Sequence, residues 1–405
     1  MTVMGKATPD SAGASPGRDM KLQFDHDDRA RALFVVALKK KTNFGVAKQL
    51  EQRFNQVIAP KLEKELSRPL SDTNRDDRKR AKTALENEHL YRVWGCLTFI
   101  GQDMMWDCVE TILSHELPRL EANAGYYFDR NDKLGSLELN PGLPLPANIA
   151  KTEIHRQPGG FCFERHDRDI LSGARYNGGG MMYTAGKGRT SIAGAGGGDF
   201  VIEKIRERFP GFTPKRILEI GCGTGRNTPS YKRLFPEAEV TAIDCAAGLL
   251  RFAFANAESE GTGIHFKQMD LTKLDFADDS FDLIVSHIVG HETTHKGLPL
   301  MIAESWRVLA PGGVMFHLDV PNQPTYMNLF NQVLNDWQVR YNGEPFWMGW
   351  ADADVRGIMT KLGVPEDAMI AEALSPAAGG VSWFCHGGRK PLDTEKSDAG
   401  KRKAA

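Results

Sequence analysis

The sequence HETTH contains His291, Glu292 and His295 in the order found in zinc proteases. In those enzymes two histidines four residues apart lie on one face of a helix and bind zinc, and the glutamate activates the bound water. The residues that follow disfavour this chemistry, because Gly297 and Pro299 stand where the metal-binding helix would have to continue. We therefore predict no metal site from this motif and reject a zinc peptidase.

A second motif, EIGCGTGR, places Gly221, Gly223 and Gly225 directly after a short apolar run. Glycines allow a tight turn and let the backbone come close to a ligand at the start of the next helix. Asp244 follows at the spacing of about 20 residues at which a carboxylate binds ribose hydroxyls. A dinucleotide loop needs a further glycine where Arg226 stands. The motif therefore favours a nucleoside that carries an amino-acid tail over a pyrophosphate ligand.

The elements that would position these motifs begin after residue 199, where short apolar runs alternate with helical stretches. The runs that predict strands are 216–220, 240–244, 264–269, 281–286 and 313–318. This alternation predicts an α/β fold with a doubly wound, mostly parallel sheet covered by helices on both faces. A late run, Val381–Cys385, predicts one antiparallel strand that completes the sheet.

Composition divides the chain into five segments. Residues 1–20 are rich in Ala, Gly, Ser and Pro and are expected to be a disordered tail, as is the polar stretch 390–405. Residues 21–130 carry apolar residues at helical spacing and predict a helical N-terminal region. Residues 131–199 are dense in Gly and Pro and predict a connector or a lid. Residues 200–389 form the α/β domain.

Charge and cysteine usage limit the class of protein. The formal net charge of −1 provides no basic surface for nucleic acid. No apolar run approaches the roughly 18 residues of a membrane span, and the N-terminus lacks the apolar core of a secretory signal. The six cysteines show no C-x-x-C spacing, which is typical of reduced thiols. We expect a cytoplasmic protein whose oligomeric state the sequence does not set, although a dimer is compatible with it.

Four blocks of the chain, in order, resemble the class I S-adenosylmethionine-dependent methyltransferases. The blocks are ILEIGCGTGRNT, VTAIDCAAGLL, FKQMDLTKLDFADDSFDLIVS and AESWRVLAPGGVMFHLDV. They are similar to the ubiquinone/menaquinone-biosynthesis-like branch (methyltransferase type 11) and cover roughly residues 200–320. The resemblance implies a Rossmann-like fold and an enzyme that moves the methyl group of S-adenosylmethionine to a small molecule. The first 200 residues match no family by their motifs.

The resemblance also implies which residues bind the cofactor. The three glycines would lie behind its methionine portion and ribose, and Glu219 would orient the loop from beneath. Asp244 would bind the ribose hydroxyls. Asp270 and the backbone of Leu271 would contact the adenine, and Cys245 would flank the ring.

In that fold, HETTH follows the fourth predicted strand, at the sheet edge where ligands bind. His287, His291 and Glu292 are therefore expected to face the methyl acceptor. A histidine with a near-neutral pKa, His291 first, could remove a proton if the acceptor must lose one, with Glu292 orienting it. Hydrogen bonding within the loop is the simpler role. His317 and Asp319, at the end of the fifth strand, are weaker candidates.

Several alternatives remain open from the sequence. Oxygen, carbon, nitrogen and sulfur acceptors all fit, and the aromatic run Phe346–Trp350 is compatible with an apolar or aromatic acceptor. A non-catalytic nucleoside-binding scaffold and a nicotinamide-dependent oxidoreductase compete with the methyltransferase. Binding of S-adenosylhomocysteine without turnover would favour the scaffold, and binding of NADH would favour the oxidoreductase.

Overall fold

The computed structural model of the chain describes residues 18–186, 197–322, 327–375 and 383–392. One eight-stranded sheet runs through the centre, and helices pack on both of its faces. Within the described residues, no helix combines the length and the apolar character needed to cross a membrane.

The central sheet is mostly parallel. Its strands are β1 Ser136–Glu138, β2 Arg216–Ile220, β3 Glu239–Asp244, β4 His265–Gln268, β5 Phe281–His287, β6 Leu309–Asp319, β7 Met369–Leu374 and β8 Trp383–Arg389. They lie in the order β1-β4-β3-β2-β5-β6-β8-β7. β8 pairs antiparallel with β6 and β7, and the other pairs are parallel. This confirms the predicted doubly wound, mostly parallel sheet with a late antiparallel strand.

The strand order reverses between β2 and β5. From β2 the chain builds outwards through β3 and β4, then returns to the other side of β2 with β5 and β6. In open α/β sheets the crevice beyond the carboxyl ends of the strands at such a reversal is where ligands bind. Both the glycine loop, which follows β2, and HETTH, which follows β5, lie at this reversal.

Helices precede the sheet in the N-terminal region. They are α1 His26–Lys40, α2 Ala47–Arg53, α3 Ala59–Leu66, α4 Arg75–Glu86 and α5 His89–Asp129, with π-helical turns Lys41–Val46 and Phe54–Ile58 between the first three. The start of α1 is fixed by a capping box in which Asp25 and Asp28 each accept the other's backbone N–H. Asn74 caps α4 by accepting from two backbone N–H groups of its first turn.

Two short helices and a buried one follow in the Gly/Pro-rich segment. They are α6 Ala147–Ala150, a 3₁₀ turn Ile154–Arg156, and α7 Leu171–Met182. α7 packs against α5 and against α10 of the α/β domain. β1, in the same segment, pairs with β4 and extends the main sheet. The segment predicted as a connector or lid therefore contributes a strand and a buried helix to the α/β layer.

The remaining helices connect the strands. They are α8 Gly197–Arg208, α9 Thr228–Leu234, α10 Ala247–Ser259, α11 Gly297–Val308, α12 Leu329–Asn335, α13 Trp337–Tyr341, α14 Trp347–Ala351 and α15 Val355–Lys361. The N-terminal helices pack against the helices that follow β6. Phe54 and Trp94 share an apolar cluster with Phe330, and Arg78 forms a two-bond ion pair with Asp352 at 2.6 and 2.8 Å.

The predicted tails differ from the structure at their inner ends. Met20 is fully buried, and the Tyr127 hydroxyl donates to the carbonyl of Arg18 at 3.0 Å. Residues 18–20 are thus part of the fold and not of a disordered tail, because apolar burial and hydrogen bonds hold them against α5. Lys390 is also anchored, since its ammonium donates to the Leu309 carbonyl at 2.6 Å. Residues 1–17 and 393–405 of the predicted tails lie outside the described residues.

Candidate active site

The glycine loop after β2 needs glycine at each of its three positions. Gly221, Gly223 and Gly225 have φ values of +65°, +55° and +69°, in the region that residues with a side chain rarely adopt. A Cβ atom at residue 221 would also lie 2.7 Å from the side chain of Val289, and one at residue 225 would lie 3.2 Å from Ala253. The loop is therefore a narrow turn whose backbone, not side chains, faces the reversal point.

Asp244, at the end of β3, is tied directly to this loop. Its carboxylate accepts the backbone N–H of Gly223 at 2.9 Å and that of Ala246 at 2.9 Å. Burial raises the pKa of the Asp244 carboxyl, against the lowering effect of these hydrogen bonds. Each carboxylate oxygen has two acceptor positions, so the group can hold the loop and still accept hydrogen bonds from ligand hydroxyls.

Glu219 lies beneath the loop, on β2. It is 2% exposed and accepts a hydrogen bond from the Thr228 hydroxyl at the start of α9. Burial raises the pKa of Glu219 to about 8. The side chain is consequently neutral at pH 7 and links the strand to the helix that follows the loop.

The predicted adenine contacts lie beyond β3 and β4. Cys245 is half-buried. The pKa of the Cys245 thiol is raised mainly by a hydrogen bond with the Cys162 thiol, and burial raises it further. Asp270 accepts the backbone N–H and the hydroxyl of Thr272, each at 2.8 Å, through one oxygen. Leu271 is partly buried and packs on the main core. Cys245 directly follows β3, and Asp270 and Leu271 follow β4, so all three lie at the carboxyl edge of the sheet; their contact with an adenine stays a prediction.

Side chains from the Gly/Pro-rich segment cover the glycine loop. A Cβ atom at Gly223 would lie 3.6 Å from the ring of Tyr176 on α7. Cys162, from the same segment, reaches Cys245. Sequence motifs did not identify this cover, which comes from residues far from the loop along the chain.

HETTH does not form a zinc-protease helix. A 3₁₀ turn, Gly290–Glu292, is followed by Thr293 in an extended conformation, and α11 begins only at Gly297. His295 is exposed, whereas His291 is buried. The two histidines therefore do not lie on one helical face, in agreement with the rejection of a zinc peptidase.

The turn after β5 is built around Asp319. Ile288 has a φ of +61°, which is a strained conformation for a β-branched residue. The turn directs the backbone N–H groups of Val289 and Gly290 to Asp319 at 3.2 and 2.6 Å. The same carboxylate lies 2.8 Å from the Nδ1 atom of His291. Asp319, a weaker candidate from the sequence, thus fixes the position and ring orientation of His291.

The predicted bases do not have near-neutral pKa values. Burial alone would lower the pKa of His291, but Asp319, with Glu292 and Glu344, outweighs it and raises this pKa to about 9. Burial lowers the pKa of His287 to about 4. The expectation of a near-neutral histidine is therefore corrected in both cases, because the two rings are buried beside different partners. A catalytic role for either residue stays a prediction.

Glu292 takes part in a cluster that the sequence did not reveal. His155, from the 3₁₀ turn of the Gly/Pro-rich segment, lies with Nε2 3.1 Å from Glu292 and with Nδ1 2.6 Å from Glu344. Nε2 of His291 lies 3.5 Å from Glu292 and 3.7 Å from Glu344. Trp347 meets the His291 ring edge-on at 5.0 Å between ring centroids. No local motif marks His155 or Glu344, since only the folded chain brings them together.

His317 does not join this group, although it was also a weaker candidate. It is fully buried within the sheet, and its Nδ1 atom lies 2.8 Å from the Ser286 hydroxyl. Its ring packs 5.0 Å from that of His386, between centroids. His317 is a residue of the core.

The geometry at the strand reversal agrees with the comparisons. Residues 217–313 match the family model described as a methyltransferase domain, so the chain contains a methyltransferase domain. A demethylmenaquinone methyltransferase from Thermus thermophilus is 35% identical over 111 residues, which are 27% of this chain and 50% of that protein. A malonyl-[acyl-carrier protein] O-methyltransferase from Methylococcus capsulatus is 36% identical over 117 residues, 29% of this chain and 40% of that protein.

Among solved structures, a SAM-dependent methyltransferase from Methanosarcina mazei is similar with 23% sequence identity and a TM-score of 0.36, and the match covers 47% of this chain and 98% of that chain. The chain spans half or less of the length of the curated relatives named above.

Proposed function

We propose that this chain is an S-adenosylmethionine-dependent methyltransferase that acts on a small-molecule acceptor. The observation that carries the proposal is the hydrogen bond from the Gly223 N–H to the Asp244 carboxylate. It joins the glycine loop after β2 to the acidic end of β3, at the point where the strand order reverses. The methyltransferase family model spans this point, since it matches residues 217–313.

The residues at this edge fit the cofactor. The loop presents backbone at this edge, because all three of its glycines have positive φ values and a Cβ atom at Gly221 would clash with Val289. The remaining acceptor positions of the Asp244 carboxylate suit ribose hydroxyls. Cys245, Asp270 and Leu271 would contact the adenine on the far side of Asp244. When bound, the cofactor supplies an electrophilic methyl group on a positively charged sulfur.

The acceptor side would lie beyond the carboxyl ends of β5 and β6. In methyl transfer the sulfur–methyl bond breaks as the acceptor–methyl bond forms in line with it, so holding the acceptor in position supplies much of the acceleration. Tyr176, which lies against Gly223, and Trp347, which packs on His291, would form aromatic walls there, and Asp319 holds His291. Of the two predicted bases, His287 has a pKa that burial lowers to about 4, which makes it a weak base for an acceptor hydroxyl. His291 would help to position the acceptor.

A calorimetric titration of S-adenosylhomocysteine into the purified full chain tests the proposal. Wild type should bind, and Asp244→Ala should bind roughly 10- to 100-fold more weakly, because hydrogen bonds to a charged group are worth about 1.5–3 kcal/mol. Glu239→Gln, on the exposed start of the same strand, should bind like wild type. Circular dichroism should show that all three proteins are folded.

Absence of binding by the folded wild type would overturn the proposal. Binding of NADH in place of S-adenosylhomocysteine would instead support a nicotinamide-dependent oxidoreductase. Equal affinities of wild type and Asp244→Ala would remove the assigned role of Asp244.

A further inference from the structure

Four side chains from three distant parts of the chain converge on the acceptor side. His155 comes from the turn between α6 and α7, His291 and Glu292 follow β5, and Glu344 follows α13. Ligand atoms of His155, Glu292 and Glu344 all lie within 4.8 Å of one another. His291 is not a member of this group of three, but its Nε2 atom approaches both carboxylates, at 3.5 and 3.7 Å. The cluster thus contains two imidazoles and two carboxylates that face one another.

The carboxylates of this cluster are not fully satisfied by the protein. Glu344 is 2% exposed, and its Oε2 atom has no hydrogen-bond partner among the described residues. Oε2 of Glu292 is also buried without such a partner within the same ranges. A buried carboxylate oxygen without a donor is costly. A cation between the two carboxylates would satisfy both oxygens at once.

The spacing and the donor set fit a small metal ion. Nitrogen and oxygen ligands about 2.0–2.2 Å from a tetrahedral ion lie roughly 3.3–3.6 Å from one another. Three imidazole–carboxylate distances, 3.1, 3.5 and 3.7 Å, bracket that spacing, and the fourth, 2.6 Å from Nδ1 of His155 to Glu344, is a direct hydrogen bond that leaves Nε2 of His155 for the ion. Imidazole together with carboxylate favours Zn²⁺ and similar first-row ions, whereas Mg²⁺ favours oxygen ligands alone and an octahedral arrangement.

Asp319 supplies the support that a metal-binding histidine needs. Histidine ligands of metals usually bond a carboxylate or a carbonyl through their other ring nitrogen, which fixes the ring. Nδ1 of His291 lies 2.8 Å from Asp319, and this leaves Nε2 directed at Glu292 and Glu344. His155 remains 25% exposed at its side chain, which gives an ion a path from solvent.

We propose that His155, His291, Glu292 and Glu344 bind one divalent first-row transition-metal ion, represented by Zn²⁺. The site uses two residues of HETTH but not His295, so it differs from the zinc-protease arrangement. It lies beside the glycine loop, because the ring of His155 packs 6.2 Å from that of Tyr176, between centroids, and Tyr176 covers Gly223. Metal binding does not depend on the proposed methyl transfer.

The test is equilibrium dialysis of the chelator-treated full chain against Zn²⁺, with bound metal measured by mass spectrometry. Wild type should bind one ion per chain. Glu344→Gln and His155→Gln should each lower the affinity about 100-fold or more, since even residues that only support metal ligands cost 10- to 100-fold. Co²⁺ in place of Zn²⁺ should give visible absorption bands of a four-coordinate ion, and these bands should be lost in both variants.

Control variants separate this site from others. His295→Ala should leave Zn²⁺ affinity unchanged, because His295 is exposed outside the cluster. His115→Ala and His166→Ala remove members of the two other groups of histidine and acidic side chains found in the described residues. Neither should affect the tight ion.

Three outcomes would overturn the proposal: no ion retained by wild type, equal retention by Glu344→Gln and His155→Gln, or loss of the ion in His295→Ala. Thermal unfolding checks that each variant folds. If the Glu344→Gln variant does not fold, the test uses the His155→Gln variant, because His155 is partly exposed. Titration of S-adenosylhomocysteine into the same samples distinguishes a failure of the metal site from a failure of the proposed function.

Discussion

Replacing Glu219 by glutamine should remove a strong pH dependence of stability. Burial raises the pKa of Glu219 from 4.5 to about 8 in the folded chain. A raised carboxyl pKa means that stability is fully present below pH 4.5 and is lost as pH rises towards 8 and beyond. At about 1.4 kcal/mol per pKa unit, this group should cost the folded state about 2 kcal/mol at pH 6 and about 5 kcal/mol at pH 9. The Glu219→Gln variant keeps a partner for the Thr228 hydroxyl but does not titrate.

Urea unfolding of wild type and Glu219→Gln, each at pH 6 and pH 9, measures this difference. Contributions of other groups cancel between the two proteins when the sites are independent. The variant should gain about 3 kcal/mol relative to wild type between the two pH values. Glu239→Gln, which removes an exposed carboxylate, should show no such gain. Parallel pH profiles of wild type and Glu219→Gln would refute the argument that Glu219 is buried and protonated.

Three further substitutions test the close packing of α7, the pH dependence of stability and the N-terminal cap of α4. Gly173→Ala should cost about 1–3 kcal/mol, because a Cβ atom would lie 2.4 Å from Phe252, and thermal unfolding measures the loss. Burial lowers the pKa of His317 to about 4, and that of His386 too. The free energy of unfolding should therefore fall as the pH drops from 6.5 to 4, by about 3 kcal/mol through His317 alone. In the His317→Gln variant, urea unfolding should show a smaller fall over this pH range. Asn74→Ala should cost about 1 kcal/mol of unfolding free energy through loss of the α4 cap, again by urea unfolding.

Much of the sheet could be predicted because its strands carry local signals. β2, β3 and β5 are apolar runs that end at turns, and both of their faces are buried, so the run itself marks them. β1 is three residues long and forms only by pairing with β4, and no pattern of that length is informative. β7 has the sequence MIAEAL, which contains helix-favouring residues. Its pairing with β8 outweighs that local preference.

A glycine-rich segment can be a flexible connector or a site of close helix packing, and composition alone does not distinguish the two. In the segment 131–199 the glycines suggested a connector or a lid. In the structure, a Cβ atom at Gly178 would lie 2.9 Å from Val109, and one at Gly179 would lie 2.9 Å from Trp106. These glycines let α7 approach α5 closely. Close approach needs a neighbour, and the neighbour is about 70 residues away along the chain.

The contact between the glycine loop and Asp244 could be predicted from the sequence, whereas the cluster of His155, Glu292 and Glu344 could not. Gly223 follows β2 and Asp244 ends β3. Because these successive strands pair in parallel, their carboxyl ends lie side by side, and the topology alone brings the two residues together. His155, Glu292 and Glu344 meet only because the turn before α7 and the turn after α13 both fold over the end of β5. HETTH also shows that a local motif does not determine which partners its residues meet in the fold. Its letters imply a helix, but the strained turn at Ile288 and the Asp319 carboxylate direct His291 and Glu292 to partners outside the motif.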